Sequence, residues 1–351
     1  MMNESYSQRI SAAITWLRFP LIFLIVMLHC YSVVRLDGNR DVYFKTLYPF
    51  SLWLGETGVP GFFFISGYLF FLSKKSYGQK LKARVHTLLI PYLLWNAILL
   101  ALYFIAYFVG YPQDINNKSI ADYGLMDYLR LFWDRGAYDD GNFVPLLCPF
   151  WYIRNLLIMC LLSPIFYYII RYAREFFLFI VGVWWVMTFH NAFIPQSILF
   201  FSLGAYFSIH DVNPLKLVSE NKKWFIASFA LFAIADIGMH TIYGTAMNLQ
   251  AHRLALLFNI PVLLLLADTC ASKGYSHSLL PNAAFIVFAV HYPIVVVLRK
   301  ICAAKFSTAS DATHIMLYFV CIIIATVASM LIYLILAKYF PKLKNLLSGN
   351  R

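Results

Sequence analysis

Ten stretches of this sequence are long and apolar enough to cross a bilayer, which takes about 20 residues each. They fall near 14–34, 50–72, 86–110, 150–170, 175–192, 194–209, 224–243, 253–270, 282–299 and 315–337. Only "NAFIP" separates the fifth from the sixth. With 61% hydrophobic and 13% charged residues and a mean hydropathy of +0.69, the chain lies far from a soluble domain, in which about a quarter of residues are charged. No repeat, linker or low-complexity tract divides it. The sequence predicts an all-α, polytopic transmembrane helical bundle of about ten transmembrane helices, forming a single domain over residues 1–351 with no separate soluble domain. The net charge of +12 is therefore read loop by loop as topology, and no nucleic acid partner is expected.

The loops orient the bundle. "SKKSYGQKLKAR" carries Lys74, Lys75, Lys80, Lys82 and Arg84 without an acid, and "KYFPKLKNLLSGNR" is also basic. Ten spans put both on the side of the N-terminus, together with Arg171, Arg174, Lys216, Lys222, Lys223 and Lys273. Segment 111–149 falls opposite and holds Asp114, Asp122, Asp127, Asp134, Asp139 and Asp140. The positive-inside rule then makes both termini cytoplasmic, against which only Arg299, Lys300 and Lys305 stand. Thirteen mostly polar residues precede the first span, which has no A-x-A-like end, so a cleavable signal is not expected. The six cysteines form no C-x-x-C pair and read as small core residues, with a disulfide among Cys30, Cys148 and Cys302 left open. No metal site is expected, and no Walker A or G-x-G-x-x-G loop points to nucleotide-driven transport.

The first span reads "RFPLIFLIVMLHC" and encloses two groups that are costly in hydrocarbon, Arg18 and His29. Eleven residues make about three helical turns, so both share one face about 16 Å apart, with Ile22 and Ile25 between them. Arg18 can snorkel to the headgroups while His29 bonds a neighbouring carbonyl. Alternatively, Arg18 anchors an anion at the cytoplasmic side below His29, a deep proton acceptor.

Arg, ten residues, then His in a first span resembles the signature of the acyltransferase-3 family of integral membrane acyltransferases. "GVPGFFFISGYLF" (58–70) is similar to the family's second-span pattern, and "RVHTLLIPYLLWN" (84–96) to the basic residue and Pro-Tyr that open its third span. "FWYIRNLL" (150–157) and "FAVHYPIV" (288–295) resemble its Trp-aromatic and late His-x-Pro segments. The order of the motifs matches across most of the chain. One departure is that Arg84 is followed by Val85, His86 and Thr87, where the family often has a second Arg.

The resemblance implies transfer of an acyl group, usually acetyl, from cytoplasmic acyl-CoA to a hydroxyl of an extracytoplasmic or lipid-linked glycan, in a bacterial inner membrane. Acyl-CoA, usually acetyl-CoA, is then a donor substrate, and no cofactor is bound permanently. Lys80, Lys82, Arg84 and Arg18 form a basic rim suited to its phosphates, although the rim is also what topology alone demands. His29 can act as general base or accept the acyl group itself. Ser66 in "ISGY" reads as a helix-packing site more simply than as a nucleophile. Glu56 either orients His29 or faces water. Trp151, Arg154 and Asn155 share a face of the fourth span, and Trp151 and Arg154 with His291 are candidates for the acceptor site. Trp151 also suits an aromatic belt, and His291 can instead serve a carbonyl freed by Pro293. Asp236 and His240, at i and i+4, can bond each other or form a proton path. Asp268 and Asn259 have no evident role. Tyr111, Tyr123, Tyr128, Trp133 and Tyr138 give the outer segment surfaces for sugar stacking. The partners expected are acyl-CoA, a hydroxyl acceptor and the lipid bilayer, with a homo-oligomer left open. The rival reading is a secondary transporter or flippase for a glycan or organic anion, with Asp236, His240 and His291 as its relay, but no pair of halves stands out. In a cysteine-free background, single cysteines placed in 73–84 should react with impermeant maleimide only from the cytoplasmic side. Those in 111–149 should react only from the opposite side. Labelling of both from one side would overturn the topology.

Overall fold

A computed structural model describes residues 4–31, 41–111, 114–116, 118–136, 141–243, 249–274 and 278–350. Tyr138, Asp139 and Asp140 fall outside them. Among the described residues the chain is helical and forms no sheet. The helices are α1 (Glu4–Cys30), α2 (Asp41–Gly55), α3 (Gly58–Leu72), α4 (Tyr77–Arg84), α5 (Ile90–Phe108), α6 (Leu125–Leu131), α7 (Trp151–Leu161) and α8 (Ser163–Met187). They continue with α9 (Phe193–Ile209), α10 (Pro214–Glu220), α11 (Lys222–Tyr243), α12 (Leu249–Ser272), α13 (Leu279–Phe306), α14 (Asp311–Tyr339) and α15 (Pro341–Ser348). Six segments are long and apolar enough to cross a membrane, and up to eight if two bent pairs each count as one span. The expected count of about ten is not reached on that measure.

The differences from the expected spans have chemical causes. The run expected at 50–72 is two helices, α2 and α3, parted at Glu56 and Thr57. Pro60 has no N–H to return to the carbonyl four residues back, and Gly55 and Gly58 weaken the turn between. The break also admits neighbours: a Cβ on Gly55 would meet Leu28, and one on Gly58 would meet Ile25. The run expected at 150–170 stops at Leu161, because Pro164 ends the preceding turn. The segment Cys148–Leu161 is bent by 70° from Ser163–Met187, and α8 itself is broken at Arg174, with a left-handed φ of 49°. The expected boundary between 170 and 175 is thus a kink inside one element.

α1 is the central helix, packed on α2, α3, α12, α13 and α14. Ala13, Val26 and Cys30 on it are fully buried. Its start is tied to the end of α12 by a forked ion pair, Arg9 Nε to Asp268 Oδ1 at 3.1 Å and Nη2 to Oδ2 at 2.5 Å, so α1 and α12 run antiparallel. Asp268 thereby gains a structural role. Asn259 gains one too, since its amide donates to the Trp53 carbonyl (3.0 Å) and to Thr57 Oγ1 (2.7 Å) and pins the break between α2 and α3. Large side chains such as Leu102, Phe176, Phe179, Ile323 and Leu331 stay exposed on the outer faces, as a lipid-facing belt requires. None of the six cysteines is joined in a disulfide.

α3 and α9 cross with a glycine of each pressed on the backbone of the other. Gly67 lies against the Phe201 carbonyl and Gly204 against the Phe64 carbonyl. In lipid, close backbone approach of this kind replaces a hydrophobic driving force. Gly67→Val or Gly204→Val should cost about 3 kcal/mol, the upper range for overpacking, because the obstacle is main chain. Gly238→Ala on α11, where a Cβ meets nothing, should leave stability unchanged or raise it. Thermal unfolding in detergent checks the contrast.

Candidate active site

Arg18 and His29 sit three turns apart on α1 and mark the two ends of the site. At the Arg18 end a cavity of about 210 Å³ opens among five segments. α1 supplies Arg18 and Ile22, α3 supplies Phe62, Ser66 and Leu69, and the end of α4 supplies Arg84. Tyr152 comes from α7, and Pro281, Phe285 and Phe288 from α13. These are the five segments that carry the motifs quoted above. Two guanidinium groups thus line a pocket whose walls are mainly aromatic and aliphatic. Such a pocket accepts an apolar arm and holds an anion at its entrance.

Local structure holds Arg84 in place. α4 starts at a capping box, in which Ser76 Oγ accepts from the Gln79 amide and Gln79 Oε1 from the Ser76 amide. The five residues after Arg84, Val85–Leu89, wind as a π-helical turn, a wide ring that recurs at functional sites. α15 folds back beneath this turn. Trp95 Nε1 donates to the Leu347 carbonyl (3.0 Å), and Gly349, at φ +68°, leaves no room for a Cβ above Thr87. Of the other rim cations, Lys80 lies over the Phe70 ring (5.1 Å), as Arg84 does (5.7 Å), and Lys82 is exposed. Neither lysine lines the cavity.

His29, at the other end, is partly buried between rings of α13. Its centroid is 5.4 Å from that of His291 and 5.0 Å from that of Tyr292, the latter edge-on. Phe288, one turn below His291, stands 6.0 Å from it and lines the cavity. Phe288 and His291 therefore lie in turn between the pocket and His29. Beside it, Ser66 Oγ and the Tyr152 hydroxyl share a hydrogen bond of 3.2 Å on the cavity wall. Gly67 does the packing that the "ISGY" stretch suggested, while its neighbour Ser66 faces the pocket.

The described residues within 114–147 cover the His29 end. Arg135 bonds the Tyr292 hydroxyl. Arg154, buried on α7, holds this cover down, with Nη1 to the Trp133 carbonyl (2.5 Å), Nη2 to the Phe143 carbonyl (2.9 Å), and its guanidinium 4.9 Å from the Trp133 ring centroid. Nε and Nη2 also reach Asn155 Oδ1, whose amide bonds Ser197 of α9 at 3.0 Å. Arg154 is thus placed as a clamp outside the cavity. Trp151 is also outside it, stacked on Phe193 at 3.8 Å. Tyr123 and Tyr128 spend their hydroxyls on the carbonyls of Ile115 (3.0 Å) and Ile120 (2.7 Å), within the segment itself. The Gly124 amide and then Lys118 hold the exposed Asp127 carboxyl below its ordinary pKa.

Glu56 bonds an imidazole, that of His252. His252 Nε2 lies 3.1 Å from Glu56 Oε2, and its Nδ1 lies 2.7 Å from Asp236 Oδ2. The ring bridges two carboxylates and joins the α2–α3 break to α11 and α12. Sequence spacing paired Asp236 with His240 and passed over His252, whose partners are 16 and 196 residues away. Tyr152 was passed over too, because an aromatic beside Trp151 reads as part of a belt. Among the described residues no group of three or more His, Cys, Asp or Glu is placed to hold a metal ion.

A family model described as an acyltransferase domain matches residues 11–334. The chain belongs to the acyltransferase-3 family. With its apolar helices, this makes it an integral membrane O-acyltransferase. It is 25% identical over 368 residues to the succinoglycan biosynthesis protein ExoH of Rhizobium meliloti (strain 1021), covering 97% of this chain and 93% of that one. No solved structure matches the chain.

The clamp makes a prediction separable from chemistry. Arg154→Met leaves two part-buried carbonyls without their donor and should destabilise the cover by about 1–2 kcal/mol. Arg154→Lys should recover only part, since one ammonium does not reproduce the fork. Hydrogen exchange of residues 118–136 should rise in both variants while that of α1 stays constant.

Proposed function

We propose that this protein transfers an acyl group from acyl-CoA, entering at the Arg18 end, to a hydroxyl of a polysaccharide or its lipid-linked precursor at the His29 end. The observation that carries this reading is the placement of Arg18 and Arg84 on the lining of an apolar pocket that connects to His29 through the rings of Phe288 and His291. A volume of about 210 Å³ is below that of a typical pocket for a drug-sized ligand, roughly 300 Å³ or more. It suits the slender pantetheine arm, while the nucleotide stays outside with Lys80 and Lys82. Forked contacts from Arg18 and Arg84 meet the phosphates or a carbonyl of the arm. Rotation of Phe288 then joins the pocket to His29.

The chemistry needs one base. A His29 nitrogen removes the acceptor hydroxyl's proton as its oxygen attacks the thioester carbon. The carbon–sulfur bond breaks, the ester carbon–oxygen bond forms, and the proton passes from the imidazolium to the departing sulfur. Atoms and charge balance without a cofactor. General-base assistance of this kind is worth about 10²–10⁴ in rate. The polysaccharide acceptor is suggested by the relative in succinoglycan biosynthesis, and an acetyl donor by the family motifs. A donor from the cytoplasm and an acceptor from outside put both termini in the cytoplasm and the protein in a bacterial inner membrane, as the loop charges suggest.

The test compares surface polysaccharide from cells with and without the protein by mass spectrometry and proton NMR, looking for a missing acyl ester. His29→Ala should abolish the ester while acetyl-CoA binding by the purified protein persists. Arg18→Ala should weaken that binding about tenfold or more, with partial rescue by Arg18→Lys and a decline with added salt. Full acylation in His29→Ala cells would sink the reading.

A further inference from the structure

His291 is wholly buried on α13, and its two ring nitrogens have different surroundings. Nδ1 lies 3.1 Å from the Val287 carbonyl. A carbonyl only accepts, so Nδ1 carries the hydrogen, and in the neutral ring Nε2 is left with a bare lone pair. Nε2 is buried and has no hydrogen-bond partner among the described residues. Buried polar atoms of that kind are rare and call for an explanation.

The bond at Nδ1 does not supply one. The Val287 carbonyl already receives His291's own backbone N–H in the ladder of α13. Pro293 deprives a different carbonyl, that of Ala289, four residues before it. His291 therefore does not repair the proline's damage, and what its Nδ1 bond achieves is to fix the tautomer. Phe288 on one side and the His29 ring on the other enclose it.

The distance to His29 is what makes the lone pair useful. An N–H···N bond of about 3 Å, added to the radii of two imidazole rings, nearly spans their centroid separation of 5.4 Å. The rings are tilted by 35°, so a modest rotation lines up a His29 N–H with Nε2 of His291.

We propose that His291 is the positioning residue of His29: its Nε2 accepts the N–H of the His29 nitrogen that does not face substrate. This rests on the reading of His29 as the base. The contact selects the tautomer of His29 whose free lone pair points at the acceptor hydroxyl. When His29 takes that proton, both its nitrogens carry hydrogen, and the bond to His291 strengthens as charge develops. No proton needs to leave the pair, because His29 returns its new proton to the sulfur. The logic is that of a nucleophile's histidine held by a buried acceptor, with an imidazole in place of the carboxylate. A neutral acceptor suits this site, since a carboxylate there would add a charge to hydrocarbon. Tyr292 beside His291, Tyr152 across Phe288, and Arg135, Cys148 and Arg299 around Tyr292 are titratable groups near this cluster.

Two substitutions separate positioning from structure. In His291→Gln the side-chain oxygen can reach the place of Nε2 and accept. In His291→Asn the amide can serve the Val287 carbonyl but falls short of His29. Positioning predicts that polysaccharide acylation in His291→Gln cells stays within about tenfold of wild type, while in His291→Asn cells it falls about a hundredfold, in the range of a lost acid–base aid. Acetyl-CoA binding by the purified variants should be unchanged in both. The reverse order, Asn active and Gln not, would overturn the proposal. Independently of any variant's folding, nitrogen-15 NMR of the wild-type protein with labelled histidines should show one imidazole with a protonated Nδ1 and an unprotonated, hydrogen-bonded Nε2. Its Nε2 resonance should shift in His29→Ala. A protonated His291 Nε2 in the resting protein would also overturn the proposal. Failure of the acyltransferase reading would look different, as no acyl ester lost with the wild-type gene.

Discussion

A hydrogen-bonding or charged group in hydrocarbon needs a partner, and that cost organises this molecule. Several polar groups placed deep in the bundle are satisfied in identifiable ways. Arg9 forks onto Asp268, Asn259 serves the broken turn at Thr57, and Arg154 caps two carbonyls of the covering segment. His252 lies between Glu56 and Asp236. Arg18 and His29 lie apart from these pairs, on one face of α1.

The same cost explains why the site is divided. Guanidinium groups resist full burial, and Arg18 and Arg84 are both half-buried on the cavity lining. An imidazole is neutral for much of its existence and tolerates depth. The pocket wall includes the rings of Phe62, Phe288 and Tyr152, and the Tyr152 hydroxyl is bonded to Ser66. On the proposed reading, a continuous open channel would admit water to the thioester, whereas a ring that must turn aside would limit that passage to moments when the pocket is filled.

Much of this was legible in the sequence, for physical reasons. Arg18 and His29 share a helix, so the 3.6-residue period alone puts them on one face. The apolar runs disclosed the helical bundle because hydropathy integrates over 20 residues and tolerates local irregularity. That tolerance is also why the breaks were lost. Gly55, Gly58, Pro60 and Pro164 were visible but were averaged away, and α2 begins at Asp41 in a stretch too charged to count as a span. Long-range pairs were beyond reach. Nothing in the sequence joins Glu56 to His252, or Arg154 to Trp133 and Phe143, because those meetings depend on how helices pack. Arg154 read as a candidate for the site on the ground that buried arginines are rare. Its use as a clamp emerges only with the carbonyls it holds.

The return of α15 to the π-helical turn after Arg84 bears on how the protein is made. During synthesis, α1 through α5 emerge and can insert long before residues 341–349 exist. Until those residues arrive, Thr87 lacks the chain that packs over it and Trp95 lacks the carbonyl of Leu347. Arg84, at the proposed donor entrance, is thus buttressed by a helix synthesised after α1 through α14. A partly translated bundle that lacks α15 can be embedded in the membrane before that entrance is ordered.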